Sequence, residues 1–467
     1  MKTGLVGPTY QQHSLPFNAQ RTINLYPVLD EMGKEVAALY KTPGLATFAD
    51  TGAGPIRGGF QSAKNRSFFV SATKLVEISS SGTSATRGSL LTASGNVSMC
   101  EGTSEMAISD GVNLYSFTYA TNTFVRVTST SLPVGLGFVT NVDGYFIVVE
   151  NDTGRFYVSG LNDLTSWDAL DFATAENAPD NLKAPVKAIG QLWLFGDNTT
   201  EVWTNTGASA FPFSRISGGI LETGILAPHT ALEIDNTIIW LGKDDFGDGV
   251  VHRADGFTPK RISTSPIEKM IQNATSRENI RAWAYQEEGH LFYILTGGGL
   301  KTSLVCDLTT QQWCERAYLN TNGEFEQHLG SCHIYAFGSH LVGSRIDGKI
   351  YEMSLDYYDD DGDEQAWKRV FTHISNEDKR TRYNRLDVSL ETGTGLQSGN
   401  GSNPKVALEI SKDLGRTWSD PIYAKTGGVG EYRTKVSFRR IGVAETLTLS
   451  LSGSDPVKTT LIGGYLS

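Results

Sequence analysis

The chain has 467 residues, 39% hydrophobic and 10% aromatic, with 50 glycines and a formal net charge of −11. That length and apolar content support two or three domains with sizeable cores, and the glycine and aromatic usage points to turn-rich, all-β structure. The acidic balance excludes a general nucleic-acid-coating role, and no run approaches the ~20 apolar residues of a membrane span.

The opening segment MKTGLVGPTYQQHSLPF has no apolar leader core, so the expectation is a soluble protein made in a cytoplasm, without membrane insertion. Residues 1–58 read as an extended arm with turns, completing the repeats beyond it or contacting neighbours. From Gly59 one small device recurs. Its clearest copies are residues 145–149, the turn Asn151-Asp152-Thr153-Gly154 and residues 155–158, and then residues 191–195, the turn Gly196-Asp197-Asn198-Thr199 and residues 201–204. Asn, Asp and Gly accept the positive φ of tight turns, and β-branched and aromatic residues suit the pleated strands beside them. Copies recur at about 35 to 55 residues with several short strands each, which predicts a β-propeller of six or seven degenerate blades. Its span is 59–356.

Several copies carry a turn and then an aromatic, as at Phe124 and Trp313, expected to pack between neighbouring blades. Two stretches read as helical loop decorations: 162–170, and 266–273 with Ser265 as N-cap and Pro266 at N1. The acidic run 356–364 reads as a solvated linker. Beyond it KRVFTHIS, NRLDVSLETGTG, KVALEIS, EYRTKVSFRR, TLTLSLS and VKTTLIGGYLS alternate at period two. They predict a separate antiparallel β-sandwich-like domain over 357–467, with a mobile Gly/Ser loop GTGLQSGNGSNP.

The motifs point away from chemistry. Ser411, Asp413, Gly415, Thr417 and Trp418 fit the S-x-D-x-G-x-T-W Asp-box pattern. In it Ser and Asp hold a tight turn through backbone N–H groups, Gly takes positive φ and Trp buries beneath the hairpin. The expected role is structural. An EF-hand reading of the acidic run fails, because it puts Tyr357 at position one and Lys368 at position twelve. Gly297-Gly298-Gly299-Leu300-Lys301-Thr302 is a hairpin tip, not a phosphate loop. Cys100, Cys306, Cys314 and Cys332 form no CxxC and predict buried, reduced thiols. The eight histidines, among them His13, His333 and His340, show no zinc-binding spacing. No catalytic residue, cofactor or metal site is expected.

An ordered set of stretches resembles the packaged-DNA stabilisation proteins of short-tailed bacteriophages, also called tail accessory or tail nozzle proteins. The set comprises INLYPV with KTPGL, SWDALDFATAENAPD, LWLFGDNTTEVWTNTG with FPFSRI, IIWLGKDDFGDGVVHRADGFTPKRIST, EEGHLFYIL with CDLTTQQWCER, NPKVALEISKDLGRTWSDP, GEYRTKVSFRRIG and SDPVKTTLIGGYL. LTLSLSGSDP and the long Gly/Ser loop near Gln397 depart from the family pattern. The resemblance implies a structural virion protein, synthesised in the host bacterial cytoplasm. It implies a homo-oligomer, a ring of six copies below the portal and adaptor, that extends and closes the DNA channel. Tail needle, tailspike or fibre proteins would dock at its distal end, and genomic DNA would pass without sequence-specific binding. The alternatives are a glycan-binding propeller, marked by exposed aromatics at one mouth, or a glycoside hydrolase acting on host surface polysaccharide. The hydrolase needs a funnel lined by paired carboxylates.

Overall fold

A computed structural model describes residues 3–12, 14–15, 18–29, 36–175, 180–377 and 379–467. Within the first 358 residues seven antiparallel blades form a β-propeller, six of them separate small sheets and one, residues 280–319, the end of a twelve-stranded sheet that runs on into the second domain. The innermost strands are Ile56–Gln61, Ser98–Glu101, Leu136–Val142, Leu182–Ala188, Leu232–Ile234, Ile280–Glu287 and Gly330–Ala336. Each touches the next, and the seventh touches the first, so the ring is closed.

The seventh blade shows how. Its strands Gly330–Ala336, Ser339–Ser344 and Lys349–Ser354 are completed by Gly44–Asp50 from near the N-terminus, with Tyr351 opposite Thr47 and Met353 opposite Leu45. Joining the two ends of the repeat in one sheet leaves no seam at which the ring could part without breaking a ladder of backbone hydrogen bonds.

Blades meet face to face, so their middle strands bury both sides and read as continuous apolar runs. Ser67–Ser71 (SFFVS) is buried throughout. Phe68, Val70, Met106, Tyr115 and Phe117 fill the space between the first two blades. Phe124 stacks on Tyr115 with ring centroids 5.2 Å apart. It lies so close to Gly88 of the first blade that a Cβ there would meet its ring at 2.2 Å. Trp313 is 1% exposed in the core joining blades five and six, its Nε1 donating to Ile262 O at 3.0 Å.

The second domain is a β-sandwich. One sheet holds Leu25–Leu29, Ala37–Lys41, Thr460–Leu466, Thr381–Leu390 and Val436–Ala444; the facing strands are Ala19–Ile23, Trp367–Val370, Thr446–Gly453, Lys405–Ser411 and Ile422–Lys425. Leu25, Leu39, Trp367, Leu386, Leu408, Phe438, Leu449 and Leu461 share its core.

Residues 1–58 are therefore not an extended arm: Ala19–Ile23, Leu25–Leu29 and Ala37–Lys41 supply strands to the sandwich and Gly44–Asp50 closes the propeller. The apolar residues of INLYPV bury on two sheets, with Asn24 (φ 53°) turning the chain from one to the other. Residues 162–170 are also not helical. They lie in strand Asp163–Thr174, where edge pairing to Arg155–Gly160 outweighs local helix propensity, and Asp163 and Asp168 accept from the amides of Thr165 and Leu170. The helix Ser265–Gln272 forms, but Thr264 is its N-cap, and Ile267 and Ile271 are core residues between blades rather than decoration.

Candidate functional site

The most elaborate polar structure lies where propeller and sandwich meet. Strand Gln312–Leu319 of blade six runs parallel to Ala19–Ile23 of the sandwich, with Ile23 opposite Glu315. Glu315 is fully buried, a position a carboxylate tolerates only when its oxygens are satisfied. Arg21 donates to both oxygens, Nε to Oε1 at 3.0 Å and Nη2 to Oε2 at 2.6 Å. Thr9 donates to Oε1 at 3.3 Å and Thr302 to Oε2 at 2.7 Å. Asn24 adds a second clamp: its Nδ2 donates to Ala317 O and Ala366 O, both at 2.7 Å, and its Oδ1 accepts from Ala317 N at 2.8 Å. Arg369, fully buried in the sandwich, donates to Leu5 O, Pro8 O, Gly4 O, Thr22 Oγ1 and Gln20 Oε1 at 2.6–3.2 Å, tying residues 4–8 to the strand Ala19–Ile23.

The acidic run is part of the same junction rather than a solvated linker. Asp361 N donates to Leu45 O at 2.7 Å, and Leu45 N to Asp359 O at 2.9 Å. The Asp361 carboxylate accepts from Thr47 N at 2.9 Å and from Lys349 Nζ at 2.7 Å. Asp360 is 1% exposed, and burial pushes its carboxyl up to about 7. Lys41, whose Nζ donates to Tyr358 O at 2.8 Å, is lowered by burial to about 8.

The Asp-box residues do converge, on the turn after Lys405–Ser411. Asp413 Oδ1 accepts from Ser411 Oγ at 2.7 Å, Arg416 N at 3.1 Å and Thr417 N at 2.9 Å, while Thr417 Oγ1 donates to Oδ2 at 2.6 Å. These bonds, those from Thr417 foremost, hold the Asp413 carboxyl far below the usual range. Gly415, at φ 87°, donates its N–H to Ser411 Oγ at 2.8 Å. Trp418 is half-buried rather than buried beneath the hairpin, with Lys368 Nζ 5.8 Å from its ring centroid. Every one of these bonds is spent inside the turn. We expect Asp413→Ala to speed amide exchange at Arg416 and Thr417 roughly tenfold and to leave propeller amides unchanged, read by hydrogen-exchange NMR or mass spectrometry; equal rates would remove the carboxylate's role.

On the propeller axis lies a cavity of about 370 Å³ lined by Arg57, Phe138, His229, Arg281, Trp283 and His333 among others. Glu233 is its one lining carboxylate; it is exposed and accepts from Ile189 N at 2.9 Å. The paired carboxylates of a glycoside hydrolase are not assembled there. His333 Nε2 and His340 Nδ1 meet at 3.0 Å, with His333 lowered to about 3 by burial and by His340. Among the described residues no group of three or more His, Cys, Asp or Glu converges as a metal site. His13 lies outside them. Cys306 and Cys314 are buried, whereas Cys100 and Cys332 are only half-buried.

Charge is divided between the domains. Residues 366–467 carry 15 Lys and Arg against 10 Asp and Glu, a net of +5, which leaves −16 on the rest. Exposed apolar side chains include Phe246 at a hairpin tip, Val134 and Leu170 on the propeller, and Tyr423 and Tyr432 on the sandwich. The sequence reading missed Glu315, Asn24 and Arg369. Its one available signal was charge inside otherwise apolar strands, as in QWCERAYL.

The family described as bacteriophage P22 Gp10, beta-propeller, matches residues 2–358, and that described as bacteriophage P22 Gp10, beta-sandwich, matches 366–466. No curated protein matches the chain. Among solved structures, the computationally designed Ika8 protein is 10% identical, covering 67% of this chain and 100% of its own, with a TM-score of 0.41. The extracellular domain of the putative one component system BT4673 from B. thetaiotaomicron is 11% identical, covering 89% and 58%, at 0.45. The N-terminal domain of Nup159 is 10% identical, covering 72% and 98%, at 0.41.

Proposed function

The chain belongs to the bacteriophage P22 Gp10 family of packaged-DNA stabilisation, or tail nozzle, proteins, and from that premise we propose that it is the ring-forming nozzle subunit of a short phage tail. Six copies sit below the portal and adaptor, lengthen the DNA channel, and close it after packaging until ejection. The observation that carries this reading is the match of both domains, in order, over nearly the whole chain. The closed propeller and its buried weld to the sandwich support a role as rigid wall, since neither domain can swing without stripping partners from Glu315. The exposed Phe246, Val134 and Leu170 suit contacts with neighbouring virion proteins, such as adaptor, needle or spike.

The charge division refines the part DNA plays. With −16 on residues 1–365, which hold the whole propeller, a lumen faced by that side repels the genome, so retention is steric and transit is free of adhesion. Quantitative peptide mass spectrometry on purified virions tests the reading: one copy of this chain per two portal subunits is the expected ratio. Absence from the virion, or the ratio of a trimeric spike, would overturn it.

A further inference from the structure

Among the described residues three arginines are deeply buried; Arg316 packs on aromatic rings with its Nε unbonded, while the other two spend every nitrogen on protein acceptors. Arg57 donates to Gly95 O, Ala72 O, Thr92 O, Thr92 Oγ1 and Ser94 O at 2.7–3.0 Å. Arg369 is likewise bound on all three nitrogens. In each, acceptors of the protein use up the guanidinium, so nothing is left for a ligand.

Arg281 differs from Arg57 and Arg369 and has room beside it. It stands on the innermost strand of blade six, lining the axial cavity, and its one hydrogen bond runs from Nη1 to Arg57 O at 3.1 Å. None of the ion pairs among the described residues includes it. The one carboxylate lining the cavity, Glu233, is engaged by the Ile189 amide. Arg281 is half-buried, and burial, together with the neighbouring charge of Arg57, lowers its pKa. Its charge reaches His229 on the same wall, which it and burial together hold neutral, lowered to about 3. Ser98 also lines the cavity; its Oγ accepts from Val139 N at 3.0 Å, and its own proton has no acceptor among the described residues. The wall of one cavity of about 370 Å³ thus carries a cation with free N–H donors, a hydroxyl donor and a neutral imidazole, the chemistry that an anion needs.

We propose that the axial cavity of the propeller binds a small tetrahedral oxyanion, of the phosphate or sulfate class, on Arg281 with help from Ser98. The site is independent of the ring reading and is built entirely within one subunit. Calorimetric titration of the full chain with inorganic phosphate, and separately with sulfate, at ionic strength matched by chloride, tests it. Saturable binding of one anion per chain is expected, with a rise in Tm that grows with anion concentration. Arg281→Met should abolish both effects, and Arg281→Lys should weaken binding at least roughly tenfold by losing the planar fork. Ser98→Ala should weaken it several-fold and leaves the buried charge in place, so it decides the matter if Arg281→Met fails to fold. Failure of the wild type to bind phosphate or sulfate saturably would overturn the proposal. So would unchanged binding by Arg281→Met, or acetate bound as tightly as phosphate.

Discussion

Replacing Glu315 with alanine should lower the unfolding free energy by about 3 kcal/mol, near the lower end of the range for breaking a buried ion pair. The lower end applies because the Arg21 side chain is 29% exposed and can recover some hydration, whereas Glu315 is fully enclosed. The loss has three parts. Arg21 keeps its charge against the sandwich edge without its bidentate partner; Thr9 and Thr302 each lose an acceptor; and a void the size of four heavy atoms, the lost carboxylate and its γ-methylene, opens in the junction. Glu315→Gln keeps the volume and one acceptor oxygen, so it should cost less than alanine. The hydrogen bonds that Glu315 makes join propeller to sandwich, so the effect should also appear as reduced cooperativity. Scanning calorimetry of Glu315→Ala should resolve two transitions where the wild type shows one. A single transition with a loss under about 1 kcal/mol would mean that the apolar packing across the junction carries the coupling alone.

That junction also marks where the sequence stops being legible. The blades can be read because each is local: a strand, an Asn-Asp-Gly turn and a returning strand lie within about twenty residues, and their period survives degeneracy. The Asp-box turn is legible for the same reason, since Ser411, Asp413 and Thr417 bond within seven residues. The pairings that close the structure are not local. Gly44–Asp50 finds its partner strand some 300 residues away at Lys349–Ser354, and Arg21 finds Glu315. Nothing in the spacing of Asn24, Glu315 and Arg369 announces that they meet. The strand at Asp163–Thr174 reads as helix because its alternation is broken by bulges, which shift the register at Ser159 and hide the period of two. The acidic run reads as a solvated linker because charge in a turn ordinarily means solvent. Here Asp359 and Asp361 face partners in Gly44–Asp50, and that pairing carries Asp360 inside.

Asp360 should make the protein less stable as pH rises from about 4 to 7, and Asp360→Asn should remove that slope. Its folded-state carboxyl titrates at about 7, raised by burial against the pull of Lys41; in the unfolded chain it titrates at about 3.9. Below that lower value both states hold the proton and the residue is neutral toward stability. Between about 4 and 7 the native state binds more protons than the unfolded one, so unfolding becomes easier with each step in pH. Three units at about 1.4 kcal/mol each give roughly 4 kcal/mol lost from this group by pH 8. A proton also supplies a donor that the site lacks. Asp360 Oδ2 and Gln365 Oε1 are both buried without a hydrogen-bond partner, while Gln365 Nε2 already donates to Asp360 Oδ1 at 3.2 Å. Asparagine offers that donor at every pH. Urea unfolding of both chains from pH 4.5 to 8 isolates the effect up to about pH 7, because groups uncoupled from Asp360 cancel in the difference and Lys41, lowered to about 8, enters only at the top of the window. The variant's advantage should grow by about 3 kcal/mol across the window, with its steepest rise below pH 7. Parallel curves would mean that Asp360 is ionised throughout, held as a buried ion pair with Lys41. In that case Lys41→Met, rather than Asp360→Asn, would carry the larger stability change.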